Sequence, residues 1–236
     1  MPTARSSPWR SRVVPALVAM FAVLTLGGCR GAGQEVSFRS SDGFLLRGSL
    51  FGGGGRAVVL SHGFPEDQSS WFEVARSLAD RGYLALTYDF RGYGASEGRR
   101  TVGLIDRDVR AAIEFLRRDR GVERPALVGA SMGGTASLIA AAGVPVAGVV
   151  TLSAPARFRG LDAVAQVGRV SVPKLIVAAR GDGSAAASAE KLYEQTDEPR
   201  EIRIVAGSAH GTGLLRGDQG PEVRKLVEEF LGRLLP

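Results

Sequence analysis

The sequence predicts an α/β fold, a mostly parallel sheet of about eight strands with helices on both faces. Three observations carry that expectation. From residue 35 onward, short apolar runs alternate with amphipathic ones, the order a sheet layered with helices requires. Most of the apolar runs are continuous, as in strands covered on both faces. The chain has 236 residues, 44% of them hydrophobic and 23% charged, which is enough for one full core and unlike a disordered or collagen-like chain.

The elements follow in order. Residues 35–40 and 44–51 flank Ser41-Asp42-Gly43, a tight-turn signature, and so form an antiparallel hairpin expected at a sheet edge. Gly52 to Gly55 link onward to apolar runs at 57–60, 84–86, 126–128, 146–152, 175–179 and 202–205, each a candidate strand. Ile105, Val109, Ile113 and Leu116 share one helical face, and so do Val223, Val227, Phe230 and Leu234; both stripes should pack on the sheet. No internal repeat breaks the series.

The amino terminus has a different character. Residues 1–12 are basic and polar, residues 13–26 form an uncharged run of 14, and Leu26-Gly27-Gly28-Cys29 follows. A membrane-crossing helix needs about 20 apolar residues, so the run reads as the apolar segment of a secretory signal. Leucine, two small residues and cysteine resemble the lipobox of bacterial lipoproteins. That resemblance implies a signal peptide over 1–28, diacylglycerol on Cys29 as the first mature residue, a spacer to residue 34 and a folded domain over 35–236. The protein would then be exported and tethered outside the cytoplasmic membrane, at its outer face or in the periplasm or outer membrane. An ordinary signal peptide or an uncleaved anchor, with Cys29 incidental, is the other reading.

Charge and cysteine usage narrow the classes further. The formal charge of +6 would suggest nucleic acid, but Arg5, Arg10 and Arg12 lie in the first dozen residues. Without them 27 basic residues face 24 acidic ones, and no block of five like charges remains, so no nucleic-acid partner is expected. One cysteine excludes an internal disulfide or a four-thiolate metal site. Three lysines leave few candidates for Schiff-base chemistry. Gly52 to Gly55 lead into a strand and not into a helix, which argues against a phosphate-binding or dinucleotide-binding loop.

The sharpest chemical signal is Gly129-Ala130-Ser131-Met132-Gly133-Gly134, between the apolar run 126–128 and a small-residue helical run through Ala142. A nucleophile-elbow serine sits on a strained strand-to-helix turn, and the positions two residues to either side must be small because strand and helix approach closely there. Gly129 and Gly133 meet that demand, and the amide of Met132 would face a developing oxyanion. A serine hydroxyl needs a base, and the chain has two histidines. Elbow folds run in the chain order serine, acid, histidine, which selects His210. His62 then reads as a hydrogen-bonded loop residue in His62-Gly63-Phe64-Pro65, where the second oxyanion donor belongs. Pro65 lacks an N–H, so Phe64 is the candidate donor, with Gly63 letting the chain bend. The acid should follow a strand end between Ser131 and His210, and Asp182 fits. Its alternatives are Asp162, Asp197 and Glu198, each less well placed, or a solvated turn aspartate at Gly181-Asp182-Gly183.

With these residues in hand, the chain over 35–236 resembles the α/β-hydrolase superfamily, in the group of small serine esterases, lipases, dienelactone hydrolases and serine aminopeptidase-like proteins. Asp89-Phe90-Arg91-Gly92-Tyr93-Gly94-Ala95-Ser96 resembles the superfamily segment after the fourth strand, in which Asp89 and Arg91 would brace loops. Serine at 131 departs from dehalogenases and epoxide hydrolases, which carry aspartate there. The resemblance implies a Ser131–Asp182–His210 triad, an acyl-enzyme, no metal and no cofactor, and a small-molecule ester as partner. Leu152 and Lys174 stand only 22 positions apart, so a loop and one short helix over 161–167 would replace a cap domain and leave the site open. Peptide, thioester or perhydrolysis chemistry on the same residues, or a non-catalytic binding domain, are the rival readings.

Overall fold

Apolar periodicity places every layer of the fold. A computed structural model describes Met1 and residues 33–236; the expectations for the signal segment and for Cys29 lie outside the described residues. In chain order the elements are β1 (Gln34–Arg39), β2 (Leu45–Gly52), β3 (Ala57–Ser61), α1 (Phe72–Asp80), β4 (Leu84–Tyr88), α2 (Asp106–Arg120), β5 (Ala126–Ala130), α3 (Met132–Ala141) and β6 (Gly148–Leu152). Then come β7 (Arg157–Phe158), β8 (Leu161–Asp162), α4 (Val164–Val167), β9 (Lys174–Ala179), α5 (Gly183–Glu194), β10 (Arg200–Val205) and α6 (Gly220–Leu234).

Eight strands form one sheet in the order β1-β2-β4-β3-β5-β6-β9-β10, and the expected hairpin occupies one edge. The β1–β2 and β2–β4 pairs are antiparallel, and all other pairs in the sheet are parallel. Side chains alternate between two cores with the strand period of two. On β5, Leu127 enters one core while Ala126, Val128 and Ala130 enter the other; on β9, Ile176 and Ala178 oppose Leu175, Val177 and Ala179. Val109, Ile113 and Leu116 of α2 close the first face, and Val223, Val227 and Phe230 of α6 close the second. Helix α3 is buried on nearly all sides, as its own small and apolar residues allow.

Two elements depart from expectation. The strand predicted over 146–152 begins only at Gly148. Arg117 and Arg124 donate to the carbonyls of Pro145 and Val146, which diverts these oxygens from a ladder. The segment 161–167, expected as one short helix, is instead split. Leu161–Asp162 pairs with Arg157–Phe158 as a two-residue hairpin, β7–β8, and the helix occupies only Val164–Val167. Arg159 (φ 44°) and Gly160 (φ 95°) both take left-handed backbone, the form of turn whose twist matches paired strands.

Candidate active site

Ser131 stands between β5 and α3 with φ 49° and ψ −120°, backbone that a non-glycine residue adopts only under constraint. Its amide donates to Leu152 O at 2.8 Å, which ties the turn to β6. A Cβ on Gly129 would stand 2.5 Å from the backbone of Gly133 and Gly134, and one on Gly133 would strike the carbonyls of Ser61 and His62. Both glycines therefore let β5, α3 and the end of β3 approach one another.

The loops after β9 and β10 meet at this turn. Arg180 N donates to Val205 O at 2.8 Å and Gly181 N to Gly207 O at 2.7 Å, so backbone bonds join the loop holding Asp182 to the loop holding His210. His210 Nδ1 lies 2.6 Å from Asp182 Oδ2, and Nε2 lies 2.9 Å from Ser131 Oγ. A carboxylate only accepts, so Nδ1 carries the proton it donates to Asp182, and Nε2 is left to accept from the serine hydroxyl. The Asp182 side chain is 14% exposed and that of His210 is 49% exposed, so the imidazole faces both solvent and serine.

The loop after β3 lines the other side. Gly63 packs so closely that an added Cβ would lie 3.4 Å from Ser131 Cβ. Phe64 stands 37% exposed beside the turn, and neither its N–H nor that of Met132 has a protein acceptor among the described residues. His62 is fully buried. Its Nδ1 donates to Gly63 O at 2.8 Å, while its Nε2 accepts from Phe90 N at 3.1 Å. With both nitrogens engaged in hydrogen bonds to the backbone it braces the loop. Burial holds its pKa below the ordinary value, outweighing the Gly63 carbonyl and the nearby carboxylates.

The segment after β4 supports these loops from outside. Asp89 accepts from Gln68 N and Ala95 N, each at 2.9 Å. Arg91 is 1% exposed and bridges Asp108, at 2.6 Å, to Asp42 in the β1–β2 turn, also at 2.6 Å. The Arg91 guanidinium pulls Asp42 far below the usual carboxylate range, whereas burial dominates at Asp108 and raises it. Asp162 pairs with Arg157 at 2.7 Å on the hairpin and Glu198 pairs with Arg200, and among the described residues none of the three alternative acids, Asp197 included, is bonded to His210. Sequence reasoning missed the aromatic cluster of Phe64, Tyr93 and Phe158, in which the Tyr93 and Phe158 rings each lie within 6.5 Å of the Phe64 ring. No periodic signal marks it, because its members come from three separate segments, the loops after β3 and β4 and the short strand β7. Among the described residues no cluster of His, Cys, Asp and Glu could hold a metal ion.

Comparison with known proteins agrees with this architecture. The profile of a family described as alpha/beta hydrolase fold matches residues 56–190. The uncharacterized protein Rv2307c of Mycobacterium tuberculosis is 30% identical over 204 residues, covering 76% of this chain and 73% of that protein. A carboxylesterase of Bacillus subtilis is 32% identical over 119 residues, 49% of this chain and 48% of its own. The solved structure of an esterase from Pyrococcus furiosus superposes with a TM-score of 0.77 at 19% identity, covering 86% of this chain and 92% of that one, a likeness of fold. Sheet order, strand-to-helix serine turn and profile match together place the chain in the alpha/beta hydrolase fold family.

Proposed function

We propose that the protein is a serine hydrolase that cleaves carboxylic esters through a Ser131–His210–Asp182 triad. The observation that carries this reading is the unbroken relay of 2.9 Å from serine to imidazole and 2.6 Å from imidazole to carboxylate, on a turn held in left-handed backbone. The names of the Bacillus subtilis carboxylesterase and the Pyrococcus furiosus esterase lend it support.

In this reading Ser131 Oγ attacks the ester carbonyl as His210 Nε2 takes its proton, and Asp182 stays ionised and stabilises the imidazolium. The amides of Phe64 and Met132 receive the negative oxygen; each such donor is worth about 3 kcal/mol in the transition state. The tetrahedral intermediate collapses, His210 returns the proton to the leaving alcohol, and the acyl group stays on Ser131. Water, deprotonated by the same imidazole, then releases the acid. With only a hairpin and a four-residue helix between β6 and β9, short or exposed acyl groups fit better than long buried chains.

The test is labelling of the purified chain with a fluorophosphonate, followed by a panel of aryl esters. Labelling is expected for the native chain and not for Ser131→Ala or His210→Ala. A folded native chain that stays unlabelled refutes the reading. The proposed tether is tested separately, by incorporation of labelled palmitate in bacterial cells, which Cys29→Ser should abolish.

A further inference from the structure

We propose that Arg159, assisted by Arg100, selects esters whose acyl chain ends in a carboxylate. The inference deepens the esterase reading and rests on it. Three observations converge at the rim of the site.

The first is backbone. Arg159 and Gly160 are the two central residues of the β7–β8 turn, with φ of 44° and 95°. The position taken by Arg159 suits asparagine, aspartate or glycine, and arginine there is strained. Gly160 is set by packing, because a Cβ on it would lie 3.1 Å from Gly103 Cα. The tip is therefore seated on the segment before α2 and presents Arg159 from a fixed place. Local structure gives no reason for that side chain, which directs attention to what the side chain does.

The second is placement. The Arg159 guanidinium lies over the Phe64 ring, 4.6 Å from its centre, and 5.6 Å from the centre of the Phe158 ring. The Arg100 guanidinium stacks 4.7 Å from Tyr93, whose hydroxyl reaches Met132 Sδ at 3.8 Å. Phe64 and Met132 are the residues whose amides would hold the oxyanion, so both cations stand over the rings next to the reacting carbonyl. The leaving alcohol must stay within reach of His210. Glu66, which accepts from Thr212 Oγ1 at 3.3 Å just beyond His210, belongs to that side. The Phe64 and Phe158 side is left for the acyl chain.

The third is unused bonding capacity. Arg157, two residues away, is paired with Asp162. Arg159 has no carboxylate partner and donates no hydrogen bond among the described residues, and Arg100 donates only to Gly92 O. A guanidinium carries its N–H groups in one plane, which suits two parallel bonds to a carboxylate. Exposed arginines on aromatic faces also occur as mere covers, so the test must separate covering from binding.

The test compares 4-nitrophenyl hydrogen glutarate with 4-nitrophenyl valerate, which share a five-carbon acyl chain and differ in its terminal carboxylate. The native chain is expected to favour the glutarate at least tenfold in kcat/KM. Arg159→Asn, which suits the turn, is expected to lower that preference at least tenfold with an equal or higher Tm. Arg100→Gln is expected to lower it less, and Arg118→Gln, on an exposed face of α2 and paired only with Glu114, not at all. A native preference absent or reversed, or one untouched by Arg159→Asn, overturns the proposal while leaving the esterase reading in place. A fall in Tm without a change in preference assigns Arg159 to covering Phe64 and overturns it too. If the folded chain cleaves neither ester, the esterase reading fails, and glutarate binding by calorimetry decides the rest. Binding lost in Arg159→Asn retains carboxylate recognition, and no binding refutes it.

Discussion

Replacing Gly129 by alanine tests whether the close approach of β5 and α3 sets the reactive geometry. The new Cβ would stand 2.5 Å from Gly133 C and O and from Gly134 N, where ordinary contact begins near 3.4 Å, so α3 or β5 must recede by about 0.9 Å. Retreat of the helix is resisted from β3, because Gly133 already lies against the carbonyls of Ser61 and His62. A shift of that size would carry Ser131 Oγ from 2.9 Å to about 3.8 Å from His210 Nε2, beyond hydrogen-bonding distance. Misplacement by about 1 Å costs on the order of 100-fold in rate, or about 2.7 kcal/mol. Overpacking adds about 1–3 kcal/mol of lost stability. The assay is the second-order rate of fluorophosphonate labelling beside a thermal melt, with Gly53→Ala as control, since nothing lies within 4 Å of a Cβ there. A folded Gly129→Ala chain that labels at the native rate refutes the argument.

Three further outcomes are expected. Arg91→Met leaves the fully buried Asp108 without its guanidinium partner, and urea unfolding should show a loss of about 3–5 kcal/mol, partly restored by adding Asp108→Asn; a loss under about 1 kcal/mol contradicts it. The buried His62 has a depressed pKa, so the unfolded chain binds a proton first as pH falls below about 6.5. Its contribution to stability is present above that pH and is lost on acidification, at up to about 1.4 kcal/mol per pH unit. Urea midpoints at pH 7.5 and 5.5 should therefore converge in His62→Gln relative to the native chain. Ser131→Gly relieves left-handed backbone that Ser131→Ala retains, so of these two unlabelled variants the glycine form should be more stable by about 1 kcal/mol in thermal melts.

Strands buried on both faces were legible because burial leaves a continuous apolar run, and the serine turn was legible because close backbone approach demands glycine at two fixed offsets. Asp182 was singled out as the acid after a strand end and His210 by the chain order serine, acid, histidine, and the structure brings both side chains to Ser131. The hairpin from Arg157 to Asp162 was not legible. Its strands have two residues each, too few for any period, and its turn carries arginine where asparagine would have announced it. The late start of β6 escaped notice for a different reason, as it depends on Arg117 and Arg124 reaching carbonyls from distant positions. The cluster of Phe64, Tyr93 and Phe158 likewise exists only once three separate segments converge.

The position of β10 at the rim of the sheet bears on how the protein would wear out. Ser131 follows β5, a central strand buried along its whole length, whereas His210 follows an outermost strand of which only Val205 is fully buried. Strands of this kind open in local fluctuations at a fraction of the free energy of complete unfolding. On warming, the imidazole is expected to stray from the serine while the core is still intact, so the activity proposed for this triad would end before the melting transition begins. Refilling the core would do little for durability in use; securing β10 against β9 and α5 is where an engineer should begin.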